Sequence, residues 1–207
     1  MLARVDHLVY ATPELERGIS EVEKLLGVRA IHGGQHPGRG TRNALLALGA
    51  GAYLEIIGPD PDQPAPTSPR WFGIDDLETS KLVTWAAKTA DIDRVHRDAV
   101  ANGIPIGEVR AGSRKRADGA PLSWRLTEPV SDAANGIIPF FIDWGRSPHP
   151  SESAPRGAAL VALSAEHPED QRVHRALQIL GLELSVTRAP HGRLIAIVDG
   201  RHGRVGL

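Results

Sequence analysis

Val5-Asp6-His7-Leu8-Val9-Tyr10-Ala11-Thr12 is an apolar run of strand character, and the residues after it decide the fold. Leu15, Ile19, Val22 and Leu26 recur at helical spacing and Gly27 follows. That order predicts a strand, a short turn and an amphipathic helix ended by a residue free to take a left-handed backbone. It returns twice. Leu82 to Ala87 precedes Ile92, Val95, Ala99 and Gly103; Leu160 to Leu163 precedes Val173, Ala176, Leu177, Leu180 and Gly181. The glycines are 76 and then 78 residues apart, a period that points to internal triplication.

Short strands are expected after each glycine: Asn43 to Leu48 and Ala52 to Ile57, then Leu122 to Leu126 and Ile138 to Asp143, then Leu184 to Thr187 and Leu194 to Val198. Each unit therefore reads as βαβββ. The Pro-rich stretch from Pro59 to Pro69 and the segment Arg146 to Ser153 read as linkers. The expected organisation is a domain over 1–147, made of units at 1–60 and 80–147, and a third, degenerate unit over 157–207.

Composition narrows the function. Twenty-four Lys and Arg against 25 Asp and Glu leave a formal charge of -1, which argues against a nucleic-acid binder. A hydrophobic content of 41% is enough for a buried core, and no apolar run approaches a membrane span. Polar residues near the N-terminus interrupt any signal-peptide core, so a soluble, cytoplasmic chain is expected. The absence of Cys removes thiol nucleophiles, disulfides and Cys-based metal sites, leaving His, carboxylates and amides as ligands.

Tandem βαβββ units with His7 on the first strand and Glu55 on the fourth resemble the vicinal oxygen chelate superfamily, the fold of glyoxalases and certain dioxygenases. The likeness covers about residues 3 to 147. Val5 to Val9, Ala52 to Ile57, His36 to Asn43, Arg70 to Gly73 and Ile138 to Trp144 look like its glyoxalase-like branch. The resemblance implies an α+β fold in which two units form a half-open mixed-sheet barrel, the third lying at the C-terminus. It also implies a divalent metal (Zn, Ni, Mn or Fe) held by first- and fourth-strand residues of both units. His7 and Glu55 are the matching ligands, an incomplete site, because Thr84 and Phe140 fall at the second unit's equivalents. Ala162 and Leu207 fall there in the third.

Strand alternation places His7 on the face of Val5 and Val9, and Glu55 on the face of Tyr53 and Ile57. Glu55 lies in an apolar run and needs a partner: His7, Arg39, Arg42 or a metal. Without a cation it is a candidate general base. His7 also reads as a histidine simply hydrogen-bonded to a neighbouring strand or to Glu55. His36 to Asn43 is expected as a loop, with His36 a third ligand and Asn43 a hydrogen-bonding group at the wall, or else a plain solvent loop. Trp71, Trp85, Trp124 and Trp144 suit either aromatic cavity walls or ordinary core. Ser113-Arg114-Lys115-Arg116 is a basic arm able to receive an anionic group, or a solvated loop partly neutralised by Asp118. His149, His167, His174, His191 and His202 are expected at the surface.

Glu55 and His7 are thus the catalytic candidates, and His36, Asn43, Trp85, Trp124 and Arg114 the substrate-binding ones. The expected function is binding of a small oxygenated molecule in the barrel, with metal-assisted isomerase or lyase chemistry. A non-catalytic sequestering protein is the alternative, and a purely structural role a third. The third unit is expected to carry an interface, with homodimer formation the expected assembly.

Overall fold

The computed structural model describes residues 2–115, 119, 121–130 and 133–207. Arg116 and Asp118 of the basic arm lie outside the described residues. The first unit comprises β1 (Val5–Ala11), α1 (Leu15–Leu26), β2 (Ile31–His36), β3 (Thr41–Ala47) and β4 (Tyr53–Pro59). The second comprises β5 (Lys81–Lys88), α2 (Ile92–Ala101), β6 (Val109–Lys115), β7 (Pro121–Thr127) and β8 (Phe140–Asp143). The last comprises β9 (Ala159–His167), α3 (Asp170–Ile179), β10 (Ser185–Arg188), β11 (Arg193–Gly200) and β12 (Gly203–Gly206).

The helices form for the reasons their spacing predicts. Leu15, Ile19, Val22 and Leu26 are all buried along one face of α1, and each such side chain contributes ~1.5–3 kcal/mol. Gly27, Gly103 and Gly181 stand just after the three helices with φ of 71°, 64° and 69°, a left-handed backbone that costs glycine little.

Eight strands form one mixed sheet in the order β2-β3-β4-β1-β5-β8-β7-β6. It is a nearly closed barrel of α+β class. Its edge strands β2 and β6 face one another, and the Arg114 guanidinium on β6 donates to the Gly33 carbonyl on β2. The halves are related by an approximate two-fold through β1 and β5. Thr12 N donates to Ile57 O at 2.9 Å in one half, and Thr89 N to Ile142 O at 3.0 Å in the other. That correspondence sets Thr84 opposite His7 and Phe140 opposite Glu55. The antiparallel pairs His7 with Ala86 and Val9 with Thr84 are then images of each other.

A bulge breaks the alternation of β1, with a register shift against β5 between Val5 and His7. Val9 and Ala11 point into the barrel, whereas Val5, Leu8 and Tyr10 pack in the outer core. The expected common face of Val5, His7 and Val9 is therefore corrected: the extra bulged residue rotates Val5 outward and turns Asp6 to the inside with His7.

The C-terminal sheet runs β10-β9-β11-β12. The order of elements repeats a third time, but the strand order does not, because β9 lies between β10 and β11 while β1 lies beside the last strand of its own unit. Leu207 consequently pairs with Ala196 and is no equivalent of Glu55. The buried face of this sheet, with Leu163, Ala165, Leu194, Ala196 and Val198, shares one core with Leu8, Ile19 and Trp85. Backbone bonds from Leu160 N to Leu48 O and from Arg201 N to Leu26 O fasten it to the first unit. No helix of the described residues is long and apolar enough to cross a membrane.

Candidate functional site

Inside the barrel is a narrow pocket. Its polar end is made by His7 on β1, His36 at the end of β2, Asn43 on β3, and Tyr53 and Glu55 on β4. Strand pairing converges them: β1 and β4 are parallel, with His7 beside Tyr53 and Val9 beside Glu55, and β3 sets Asn43 beside Ile57. Trp71, Phe72, Trp124, Phe140 and Trp144 supply its aromatic walls, and Arg114 reaches the same pocket. Trp124 lies against Gly112 on β6, where a Cβ would stand 2.5 Å from the indole.

Glu55 is the centre of the polar end and is 7% exposed. Its Oε1 accepts from Asn43 Nδ2 at 2.5 Å and lies 3.6 Å from His36 Nε2. Its Oε2 lies 3.5 Å from His7 Nε2. Arg39 and Arg42, the other partners considered for Glu55, turn elsewhere. Arg39 pairs with Glu128 and lies over the Trp71 ring, and Arg42 lies 3.7 Å from Asp62. Asn43 is held close by Gly33, since a Cβ there would come within 2.4 Å of Asn43 Oδ1.

His36 is not on a loop. It closes β2 opposite Thr41, and residues 37–40 turn the hairpin, with Gly38 and Gly40 at positive φ. Its Nδ1 lies 2.9 Å from Thr41 Oγ1, and its Nε2 lies 3.3 Å from Asn43 Nδ2, which can only donate. Burial, ahead of every charge near it, lowers the His36 pKa, with the Glu55 carboxylate opposing. The His36 ring is therefore neutral, with Nε2 accepting.

His7 is 3% exposed, stacks on Tyr53 at 4.6 Å and meets Phe140 edge-on. Its Nδ1 lies 2.8 Å from Asp6 Oδ1. Asp6 is fully buried, and its Oδ2 accepts from Trp144 Nε1 at 3.0 Å and lies 3.1 Å from His149 Nε2. Burial pushes the Asp6 carboxyl up, but hydrogen bonds from His149 and His7, with their charge, hold it down at about 2.

Three expectations change here. Trp85 is no part of the pocket wall: it is wholly buried in the outer core and its indole donates to Ile137 O at 2.9 Å. With Thr84 at the equivalent of His7, alternation along β5 already turned Trp85 to the opposite face. His149 is not a free surface group, because it is wedged between Asp6, Tyr53 and Trp144. His167 is buried too, its Nδ1 accepting from Glu169 N at 3.0 Å. Asp6 and His149 are not among the residues the sequence nominates, and Tyr53 is placed there on the face of Glu55 without a role. The adjacency of Asp6 to His7 was a signal for the first, and nothing local signalled His149.

A resident divalent metal does not fit this donor set. The second unit offers Phe140, which has no donor atom, and Thr84, whose hydroxyl donates to Gly136 O at 2.9 Å. Among the described residues no three His, Asp, Glu or Cys side chains form a group able to hold a metal. The Glu55 oxygens face Asn43 and imidazole nitrogens, an arrangement suited to holding and passing a proton.

Paired βαβββ units about a two-fold, with a first-strand His and a fourth-strand Glu inside the barrel, define the vicinal oxygen chelate class. Residues 5–181 match the glyoxalase-like domain, so the chain belongs to that family, and the match extends past the two barrel units through α3. A hypothetical protein from Staphylococcus aureus has the same fold, with a TM-score of 0.68 at 13% identity over 93% of this chain and 90% of that one. A Streptomyces coelicolor methylmalonyl-CoA epimerase variant, solved with 2-nitronate-propionyl-CoA, gives a TM-score of 0.48 at 19% identity, covering 67% of this chain and 95% of that one. The Mycobacterium tuberculosis methylmalonyl-CoA epimerase gives 0.46 at 20% identity over 69% and 88%. No curated protein matches the chain in sequence.

Proposed function

We propose that this protein binds a small, flat oxygenated molecule in the barrel pocket and moves a proton on it through the His7–Glu55 pair, as an isomerase or lyase of glyoxalase-like type. The observation that carries this reading is the 3.5 Å approach of His7 Nε2 to Glu55 Oε2 at the polar end of an aromatic-walled pocket. A carboxylate and an imidazole this close, in a site shielded from water, can take a proton from carbon, pass it between them and return it.

In this reading Glu55 removes a proton from the carbon next to a carbonyl, and the carbonyl oxygen takes the negative charge as an enolate. His7 exchanges protons with Glu55, and Asn43 orients the carboxylate through Oε1. The proton returns to a neighbouring carbon in an isomerisation. In a lyase reaction a leaving group departs from that carbon instead. Trp71, Trp124 and Trp144 favour a planar or apolar body, and Arg114 favours a carboxylate on it. No step is routed through a metal, because the donor set does not suit one. The barrel of residues 1–147 is the binding body in this proposal. Residues 157–207 carry the pairing of two copies in the cytoplasm, which light scattering of the full chain tests.

Deuterium uptake tests the chemistry. Incubation in D2O with a panel of 2-hydroxycarbonyl compounds and 2-oxo acids, followed by NMR, should show exchange at the carbon beside the carbonyl. Glu55→Gln should slow it by ~10²-fold or more. Thr84 and Phe140, which leave half of the superfamily's ligand positions without donors, favour a second reading, sequestration without chemistry. Ligand-dependent thermal stabilisation with no exchange at any compound would select it, and neither binding nor exchange would overturn both.

A further inference from the structure

Asp6 is a fully buried carboxylate surrounded by three ring nitrogens, those of His7, Trp144 and His149. The hydrogen-bond directions in this cluster follow from two donors that admit no alternative, together with the ionised state of the Asp6 carboxylate that they help to hold. The Trp144 indole only donates, and it donates to Asp6 Oδ2. The Ser151 backbone N–H only donates, and it donates to His149 Nδ1 at 3.3 Å. His149 Nδ1 is therefore the accepting nitrogen, so Nε2 carries the hydrogen and donates to Asp6 Oδ2. An ionised carboxylate has no hydrogen to give, so His7 Nδ1 must donate to Asp6 Oδ1. The proton on that ring is then placed, and in the neutral imidazole Nε2 is left with a lone pair 3.5 Å from Glu55 Oε2.

We infer that Asp6 is a positioning residue that fixes His7 in the Nδ1–H tautomer, held in place by Trp144 and His149, so that Nε2 is the ring atom left to accept a proton from Glu55. The inference rests on the proton-transfer reading of His7 and Glu55. The bulge that turns Asp6 and His7 to one side makes the arrangement possible, because neighbouring residues of a regular strand point to opposite faces. His149 comes from beyond the second unit, so the segment after β8 helps to set the chemistry of the first strand.

Full-length protein labelled with 15N at histidine tests this directly. The His7 resonances are assigned by their loss in His7→Gln. Long-range 1H–15N correlations are recorded as the pH is raised until the ring is neutral. The expected result is a protonated Nδ1 and an unprotonated Nε2. An Nε2–H tautomer in the unmutated protein would overturn the inference, as would a ring that keeps both protons to pH 9. In Asp6→Asn the Nε2–H tautomer should rise to roughly half or more of the neutral form. Loss of stability in Asp6→Asn with the tautomer unchanged would reduce Asp6 to a structural group and overturn the inference. If that variant does not fold, the unmutated protein alone decides. The readout needs no substrate, so it fails independently of the deuterium experiment that tests the proton-transfer reading.

Discussion

Replacing Asp6 by Asn should remove a defined part of the protein's acid sensitivity. Asp6 has no exposed surface, so solvent does not screen its interactions, and its pKa falls from the usual 3.8 to about 2 in the folded state. At ~1.4 kcal/mol per pH unit, the ionised form favours the folded state by roughly 2 kcal/mol at neutral pH. A depressed folded pKa gives stability that is fully present well above pH 3.8 and is lost as the pH falls through about 2. In urea titrations the unfolding free energy of the unmutated protein should therefore drop by roughly 2 kcal/mol more between pH 5 and pH 2 than that of Asp6→Asn, most of the contribution, since Asp6 is half ionised at the lower pH. The remaining carboxylates titrate in both proteins and cancel. At pH 7 the variant should be less stable by at least that amount, with a further ~1–3 kcal/mol because its amide offers N–H groups where the cluster needs an acceptor. Parallel pH curves for the two proteins would refute the assignment of Asp6 as a buried, ionised hub for His7, Trp144 and His149.

Gly33→Ala should cost ~1–3 kcal/mol of stability by calorimetry, because its Cβ would meet Asn43 Oδ1 at 2.4 Å and Leu45 at 3.0 Å. The displaced Asn43 should release Glu55 and slow deuterium exchange, and an unchanged rate would separate Asn43 from the chemistry. Trp85→Phe should lose ~1–3 kcal/mol, since it leaves the buried Ile137 carbonyl without its donor, while ligand affinity in a thermal-shift titration stays the same. Deleting residues 157–207 should give an aggregating protein by light scattering, because it strips Leu163, Val173, Leu177, Leu194 and Val198 from a core shared with the barrel. A soluble truncated chain that melts cooperatively at the same temperature would show that the two layers do not depend on each other.

The sequence by itself determined what depends on local periodicity. Helical spacing with a following glycine marked α1, α2 and α3, and alternation on β4 set Tyr53, Glu55 and Ile57 on one face, where all three now line the pocket. The correspondence of His7 with Thr84 and of Glu55 with Phe140 was also readable, because two units of one pattern share one register. Tertiary structure decided what periodicity cannot encode. A single bulge in β1 moved Val5 outward and Asp6 inward, and no residue pattern within the strand announces where pairing with β5 slips. His149 and Trp144 reach Asp6 from more than 130 positions along the chain, a meeting set by the closure of the barrel. The C-terminal unit has the element order of the other two, yet its first strand takes a different neighbour, because hydrogen bonding between strands is non-local and helix spacing carries no information about it. Side-chain periodicity is written into the chain one turn or one pleat at a time, whereas the partner of an edge, a bulge or a buried carboxylate is chosen only when distant segments pack.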